Sequence, residues 1–246
     1  MNATPPAILL PSHILDHFTS FGTPAGRCRQ RLRLQRARLA WRLAHSGRAA
    51  GKRLLDLFGS VAALVLLAPV FLLIIAAIRA EDGGPSVFAQ TRVGLHGRHF
   101  KIYKFRSMRT DAEARLHEVM AANHHSHGIT FKARNDPRVT RVGRWLRKLS
   151  LDELPQLVNV LIGDMSLVGP RPPIPSEVAR YTLADRRRLA AQPGITCIWQ
   201  ISGRADIDFP RQVELDVHYI ETQSLAQDLR ILAKTLPAVA FGGGAY

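Results

Sequence analysis

The sequence predicts a mostly helical α+β protein attached to a membrane, with one small β-hairpin, and three observations carry that prediction. Residues 57–78, "LFGSVAALVLLAPVFLLIIAAI", hold no charge over 22 positions, enough for one helix to cross a hydrocarbon core of roughly 30 Å. Residues 138–149, "RVTRVGRWLRKL", put Val139, Val142, Trp145, Leu146 and Leu149 on one helical face and Arg138, Arg141, Arg144, Arg147 and Lys148 on the other. That is the pattern of a helix lying in a membrane interface, or of one covering a core with a solvated back. Residues 85–108 instead alternate with a period of two around a turn at Gly94 to Gly97, which reads as two strands.

With 246 residues, 46% of them apolar, the chain can bury a core as one large domain or two small ones. Its 34 Lys+Arg outnumber 19 Asp+Glu for a net charge of +15, which points to a polyanionic partner: nucleic acid, an anionic membrane surface or a phosphorylated substrate. Residues 1–53 carry +9 of that charge, with ten basic residues and Asp16 as the one acid. Cys28 and Cys197 match no metal-ligand spacing and imply a reducing compartment without a disulfide framework.

Taken in order, residues 1–26 carry Pro5, Pro6, Pro11 and Pro24 and predict little regular order. Residues 27–48 mix leucine and arginine on all sides of a helical wheel, suited to an anionic membrane surface or to plain solvation. The apolar run has ten basic residues and no acid before it, over Arg27 to Arg53, and seven basic residues against Glu81 and Asp82 after it, over Arg79 to Arg109. Positive charge on both flanks does not choose an orientation. Pro69 removes one helix hydrogen bond and disfavours α geometry at Ala68, which allows either a kinked spanning helix or a hairpin that enters and leaves one face.

In the second predicted strand Phe100, Ile102, Lys104 and Arg106 share a face, so two cations project together. "TDAE" (110–113) is a capping box opening a helix toward residue 122. "HHSH" (124–127) has no partner cluster and reads as a solvated loop rather than a metal site. "VGPRPPIP" (168–175) predicts a stiff extended loop holding Arg171. Helices are expected at about 176–191 and 224–236, the second opened by Ser224 with Gln227 and ended before Pro237.

"KLSLDELPQL" (148–157) sets Asp152 beside Glu153 at a helix start. Neighbours on a helix point about 100° apart, so these two cannot share a proton and must have different roles. One account is structural: Ser150 as N-cap and Glu153 three residues on form a capping box. Pro155 weighs against it by leaving the Leu151 carbonyl unpaired, and a helix starting nearer Asp152 suits the proline better. The other account is chemical. A carboxylate at a helix N-terminus stays ionised, and the same terminus can hold a phosphate. Cations from Lys104, Arg106 and Arg171 would suit a diphosphate, and with Mg²⁺ nearby such a carboxylate can attack phosphorus.

Seven motifs in order resemble one family across residues 52–236: "KRLLD" (52–56), "QTRVG" (90–94), "KFRSM" (104–108), "DPRVTRVGRWLRK" (136–148), "LDELPQLVNVLIGDMSLVGPRP" (151–172), "PGITCIWQISGR" (193–204) and "LDVHYIETQSLAQDLRIL" (215–232). The chain looks like the bacterial sugar transferases, the monotopic phosphoglycosyl transferases that start exopolysaccharide assembly on polyprenol phosphate. The resemblance implies transfer of a hexose 1-phosphate, galactose or glucose, from a UDP-sugar to undecaprenyl phosphate, with release of UMP and with Mg²⁺ as cofactor, at the cytoplasmic face of a bacterial inner membrane. It implies Asp152 as the nucleophile that forms a covalent phosphosugar intermediate, Glu153 assisting with metal or proton handling, and the two together as metal ligands. Arg171 would hold phosphate, and Lys104, Arg106, Gln200, Arg204 and Asp216 would complete the substrate-binding set, with Asp228 in support.

The same resemblance implies a proline-broken, re-entrant membrane helix over 52–80 and interfacial amphipathic helices. A basic, partly disordered segment would precede it over 1–51, and a cytoplasmic catalytic domain would follow over 81–246. Partners are then the UDP-sugar, undecaprenyl phosphate and membrane lipid, with no nucleic acid; a homodimer is allowed. Three departures from the family pattern stand out: Ala68 where serine is common before the proline, Cys197 where glycine is common, and only 56 mostly polar residues before the membrane segment, as in the short form of the family. Two competing readings lack catalysis. A membrane-tethered module for nucleic acid finds no helix-turn-helix, zinc finger or RNA-binding strand pair in its support. A scaffold without activity sits poorly with intact Asp152, Glu153 and Arg171.

Overall fold

The computed structural model describes residues 24–112, 114, 136–203 and 207–241, and the chain divides into two units, Met1–Ala50 and Gly51–Tyr246. The first described element, α1, is a helix over Pro24–Asp82. Its stretch Gly47–Asp82 is long and apolar enough to cross a bilayer, and only 11% of its most apolar window is buried. Val65, Leu66, Leu72 and Leu73 are each at least 68% exposed, which a soluble core helix would not tolerate and lipid would cover. The helix assignment continues through Pro69, so the proline does not end α1. The missing N–H frees the Val65 carbonyl alone, while Ala63 and Leu64 on one side and Val70, Phe71, Ile74 and Ile75 on the other are packed against the folded unit.

The "KRLLD" motif seats α1. Lys52 reaches Asp228 at 2.8 Å and the Val168 carbonyl at 2.9 Å. Arg53 donates to the Val160 and Leu161 carbonyls at 2.6 and 2.7 Å, at the end of the helix Gln156–Ile162, where Val160 also receives the Gly163 N–H at 3.2 Å. Asp56, 3% exposed, accepts from the Ser166 hydroxyl and the Leu167 N–H, each at 2.9 Å.

After α1 the hairpin forms as the alternation predicts: β1 (Val87–Val93) pairs antiparallel with β2 (His99–Phe105), with Phe88 opposite Lys104, Gln90 opposite Ile102 and Arg92 opposite Phe100. α2 (Arg141–Lys148) is capped by Thr140, whose side chain accepts from Gly143 N–H at 2.9 Å. A Cβ at Gly143 would lie 2.0 Å from the Ser107 carbonyl oxygen, so only glycine lets this helix rest on the chain leaving β2. Of its predicted apolar face, Leu146 is buried against Ile74, Ile78 and Phe105, whereas Trp145 is 65% exposed.

α3 (Gln156–Ile162) ends at Gly163 in the left-handed region and leads into β3 (Ser166–Val168), which pairs in parallel with β4 (Gly194–Thr196). Among the described residues the expected helix over 176–191 is replaced by α4 (Pro175–Val178) and a 3₁₀ stretch at Asp185–Ala190. Asp185 explains the interruption: its carboxylate accepts from both the N–H and the hydroxyl of Thr182, each at 2.8 Å, which turns the chain out of helix. α5 (Phe209–Thr222) opens on Asp208, which accepts from Arg211 N–H at 3.2 Å. α6 (Leu225–Phe241) starts where expected, with Ser224 accepting from Gln227 N–H at 3.3 Å, but runs past Pro237 rather than ending before it. The core joins Phe100 and Ile102 of β2, Leu157 and Val160 of α3, Val168 of β3, Tyr219 of α5 and Ile231 of α6. Most of the helix expected from the "TDAE" box, the "HHSH" loop and Arg204 lie outside the described residues.

Candidate active site

The chain enters the site through a strained residue. Ser150 sits at φ 53, ψ 21 in the left-handed region, rare for a residue with a side chain and typical of functional corners. A 3₁₀ turn at Leu151–Glu153 follows, and Pro155 precedes α3, where its missing N–H costs no helix bond. The capping box does not form. Ser150 makes no side-chain cap bond, and the Glu153 carboxylate turns away to Lys104.

Glu153 is held from two directions. Its Oε1 accepts from Lys104 Nζ at 2.7 Å and lies 3.6 Å from an Arg171 nitrogen. Lys104 arrives on β2, on the face it shares with buried Phe100 and Ile102. Arg171 arrives on the proline-rich loop after β3, as the sequence predicts. Burial alone would raise the Glu153 carboxyl, but Lys104 and Arg171 outweigh it and hold the group at about 2. Asp152 differs in every respect. Its half-buried carboxylate has no ion pair or side-chain hydrogen bond among the described residues and meets only its own backbone N–H. Burial raises its pKa, Lys104 pulls it down and the Glu153 charge pushes it up, for a net rise. One carboxylate is thus pinned and permanently ionised, while its neighbour is unengaged and more basic than usual.

Beside the pair lies a cleft lined by Arg92, Lys104, Glu153, Gln156, Arg171 and Gln200. Three cations face one carboxylate, so the cleft favours an anion. Arg92 is lowered to about 10 by burial and by the Arg171 charge. It donates to the Pro172 carbonyl at 3.1 Å and to Gln90 Oε1 at 2.7 Å, and its buried Nε has no hydrogen-bond partner among the described residues.

Of the residues the sequence nominated, Lys104, Glu153, Arg171 and Gln200 come together, with Asp152 adjoining. Arg106 does not join them. β2 ends at Phe105, and the Arg106 guanidinium bonds to Asp82 at the end of α1, packed over Gly84, where a Cβ would collide with it. Asp216 is also elsewhere, buried in an ion pair with Arg188, and burial raises it to about 6 against the pull of that arginine. Asp228 serves the Lys52 contact and accepts from the Tyr219 hydroxyl at 2.7 Å. Arg92 and Gln156 were not nominated. Hairpin register could have found Arg92: opposite Phe100, it shares the face of Lys104. Arg147 was read as part of a charged face, yet its Nε donates to Ser107 Oγ at 3.0 Å and its charge acts on Asp152.

Comparison with known proteins places these residues in context. The family described as "Bacterial sugar transferase" matches residues 47–242. The chain is 48% identical over 195 residues to a protein of Streptococcus agalactiae described as galactosyl transferase CpsE, covering 79% of this chain and 43% of that one. It is 43% identical over 198 residues to the exopolysaccharide production protein ExoY of Sinorhizobium fredii, covering 79% of this chain and 88% of that protein. With the undecaprenyl-phosphate glucose phosphotransferase of Komagataeibacter xylinus it shares 43% over 206 residues, 79% of this chain and 37% of the relative. The chain therefore spans less than half of the first and third of these relatives and most of the second.

Proposed function

We propose that this chain, which belongs to the bacterial sugar transferase family, moves a hexose 1-phosphate from a UDP-sugar to undecaprenyl phosphate in exopolysaccharide assembly. The observation that carries the reading is the division of labour in the pair: an unengaged, basic Asp152 carboxylate beside a cleft whose cations already neutralise Glu153 and still exceed it. The relatives described as acting on galactose and on glucose match this chain at similar identity, so the sugar is written as a hexose.

In the first half-reaction an Asp152 oxygen attacks the phosphorus that carries the sugar. The bond from that phosphorus to the bridging oxygen breaks, and UMP leaves with the oxygen and its electron pair. In the second, a phosphate oxygen of the polyprenol attacks the aspartyl phosphate, forming the lipid diphosphate sugar and returning Asp152 as a free carboxylate. Arg92, Lys104 and Arg171 bind the phosphates and offset charge that would repel an anionic nucleophile. Glu153, fixed by Lys104, sets that lysine's position and stays ionised throughout. A divalent cation fits this donor set in one way. Mg²⁺ usually takes one or two carboxylates together with substrate phosphates, and Asp152 has an unengaged carboxylate to offer, whereas Glu153 is already paired. Mg²⁺ bound there would supply further charge neutralisation at the diphosphate.

The membrane arrangement follows from packing. Arg53 and Asp56 before the apolar run reach the Val160 carbonyl and the Leu167 N–H, and Ile74 and Ile78 near its end pack with Phe105 and Leu146. Contacts at both ends of the run support a helix kinked at Pro69 that enters and leaves one face, and in this reading the folded unit lies on the cytoplasmic side with Trp145 of α2 at the interface. The test is incubation of the enzyme with UDP-sugar and Mg²⁺ in the absence of polyprenol phosphate. One hexose phosphate bound at Asp152, with an equal amount of UMP, is expected by mass spectrometry. UMP release without an adduct would sink the covalent route.

A further inference from the structure

Cys197 is 2% exposed, one residue beyond β4, and it touches the cleft through one neighbour. Its Sγ donates to Gln200 Oε1 at 3.2 Å. Gln200 sits in the 3₁₀ turn Trp199–Ile201 and lines the cleft with Arg92, Lys104 and Arg171. An amide has one accepting and one donating end, and the two are interchangeable in shape. The thiol has one proton to give, and given to the amide it selects the oxygen end. The amide nitrogen of Gln200, which no described residue engages, is then the end presented to the cleft.

We propose that Cys197 is a positioning residue, which fixes the Gln200 amide so that its N–H₂ donates to a phosphate oxygen of the nucleoside diphosphate sugar. The inference rests on the cleft being the donor site, as proposed above. Burial pushes the Cys197 thiol well above the usual range, so the S–H proton persists across the working pH range.

The experiment uses the full chain in detergent, with UMP release from a UDP-sugar as the readout and UMP binding by calorimetry as the second. Gln200→Ala and Cys197→Ala are each expected to raise the donor KM by about three- to tenfold, the size of one lost hydrogen bond, with kcat little changed. Adding Cys197→Ala to Gln200→Ala should cost nothing more, because the thiol acts only through the amide. Cys197→Ser should recover most of the loss, since a hydroxyl also donates. An equal Cys197→Ala penalty in both backgrounds would show a packing role and overturn the proposal, as would a serine variant no better than alanine. Should the double variant fail to fold, the serine against alanine comparison decides. An unchanged KM in Gln200→Ala overturns this inference while leaving the reaction itself standing, provided Asp152→Asn is inactive. No UMP from any UDP-sugar with the wild-type chain would remove both.

Discussion

At the scale of single residues, adjacent carboxylates with opposite shifts make opposite predictions about stability. Asp152 holds its proton more tightly folded than unfolded, so its contribution is fully present below the unfolded carboxylate range and is lost as pH rises through the raised folded value. At neutral pH the ionised group costs stability. Asp152→Asn should therefore raise the unfolding temperature, by the equivalent of ~0.5–2 kcal/mol, while removing adduct and turnover. Glu153 runs the other way. Its folded value of about 2 lies below the unfolded one, so it stabilises above the ordinary carboxylate range and that gain disappears as pH falls through about 2. Glu153→Gln should lower the unfolding temperature at pH 7 and leave Lys104 without its partner. Adduct formation should show an acid limb above the usual Asp value of roughly 3.9, because only ionised Asp152 can attack. An acid limb below that value in the UMP burst would contradict the raised Asp152. Arg171→Lys keeps the charge and loses the planar fork, so turnover should fall at least about tenfold, or ~1.4 kcal/mol; normal rates would put Arg171 outside the site. The sequence displayed Asp152, Glu153, Lys104 and Arg171 through local motifs. It misassigned Arg106 because strand alternation was extended one residue beyond the end of β2, into a corner held by Asp82.

At the scale of elements, Asn159 decides how β2 meets α3. It is fully buried, its Oδ1 accepts from Tyr103 N–H at 3.0 Å and its Nδ2 donates to the Lys101 carbonyl at 2.7 Å. Its own carbonyl receives the N–H groups of Gly163, Asp164 and Met165. One side chain therefore fixes the strand carrying Lys104 to the helix that follows Glu153. Asn159→Leu leaves the Tyr103 N–H and the Lys101 carbonyl buried and unpaired, at about 1–3 kcal/mol each. A lowered unfolding temperature and a raised donor KM should appear together. Loss of stability with an unchanged KM would show that Lys104 is held independently. Such a role is invisible in sequence, where "LVNVL" is only an apolar run with one amide. The hairpin and the start of α6 were legible because alternation and a Ser-x-x-Gln cap act locally. The parallel pairing of β3 with β4 was not, because it depends on glycines whose missing Cβ matters only against a distant backbone: one added at Gly194 would lie 2.0 Å from Gly169 N. α5 was missed although its Asp208 cap and Pro210 are ordinary start signals.

At the scale of the whole molecule, the proposed one-faced insertion makes Cys28 a native reporter. Cys28 is exposed, whereas Cys197 is buried with its thiol pushed up, so a membrane-impermeant maleimide should report Cys28 alone. No labelling of intact cells is expected, with full labelling after the membrane is opened. Labelling from outside would mean that α1 crosses. The seat of that helix also governs how the chain is made. Lys52, just before the membrane segment, finds Asp228 only 176 residues later, and Asp228 lies on the last described helix. On a ribosome adding roughly 5–20 residues per second, that interval is on the order of 10–35 s. During it the apolar segment is already available for insertion, while the lysine that anchors it waits for a counter-ion not yet synthesised. The Lys52 anchor is therefore the last contact of the α1 seat to close, after the apolar segment and its contacts with Phe105, Val160 and Leu167 can already be in place.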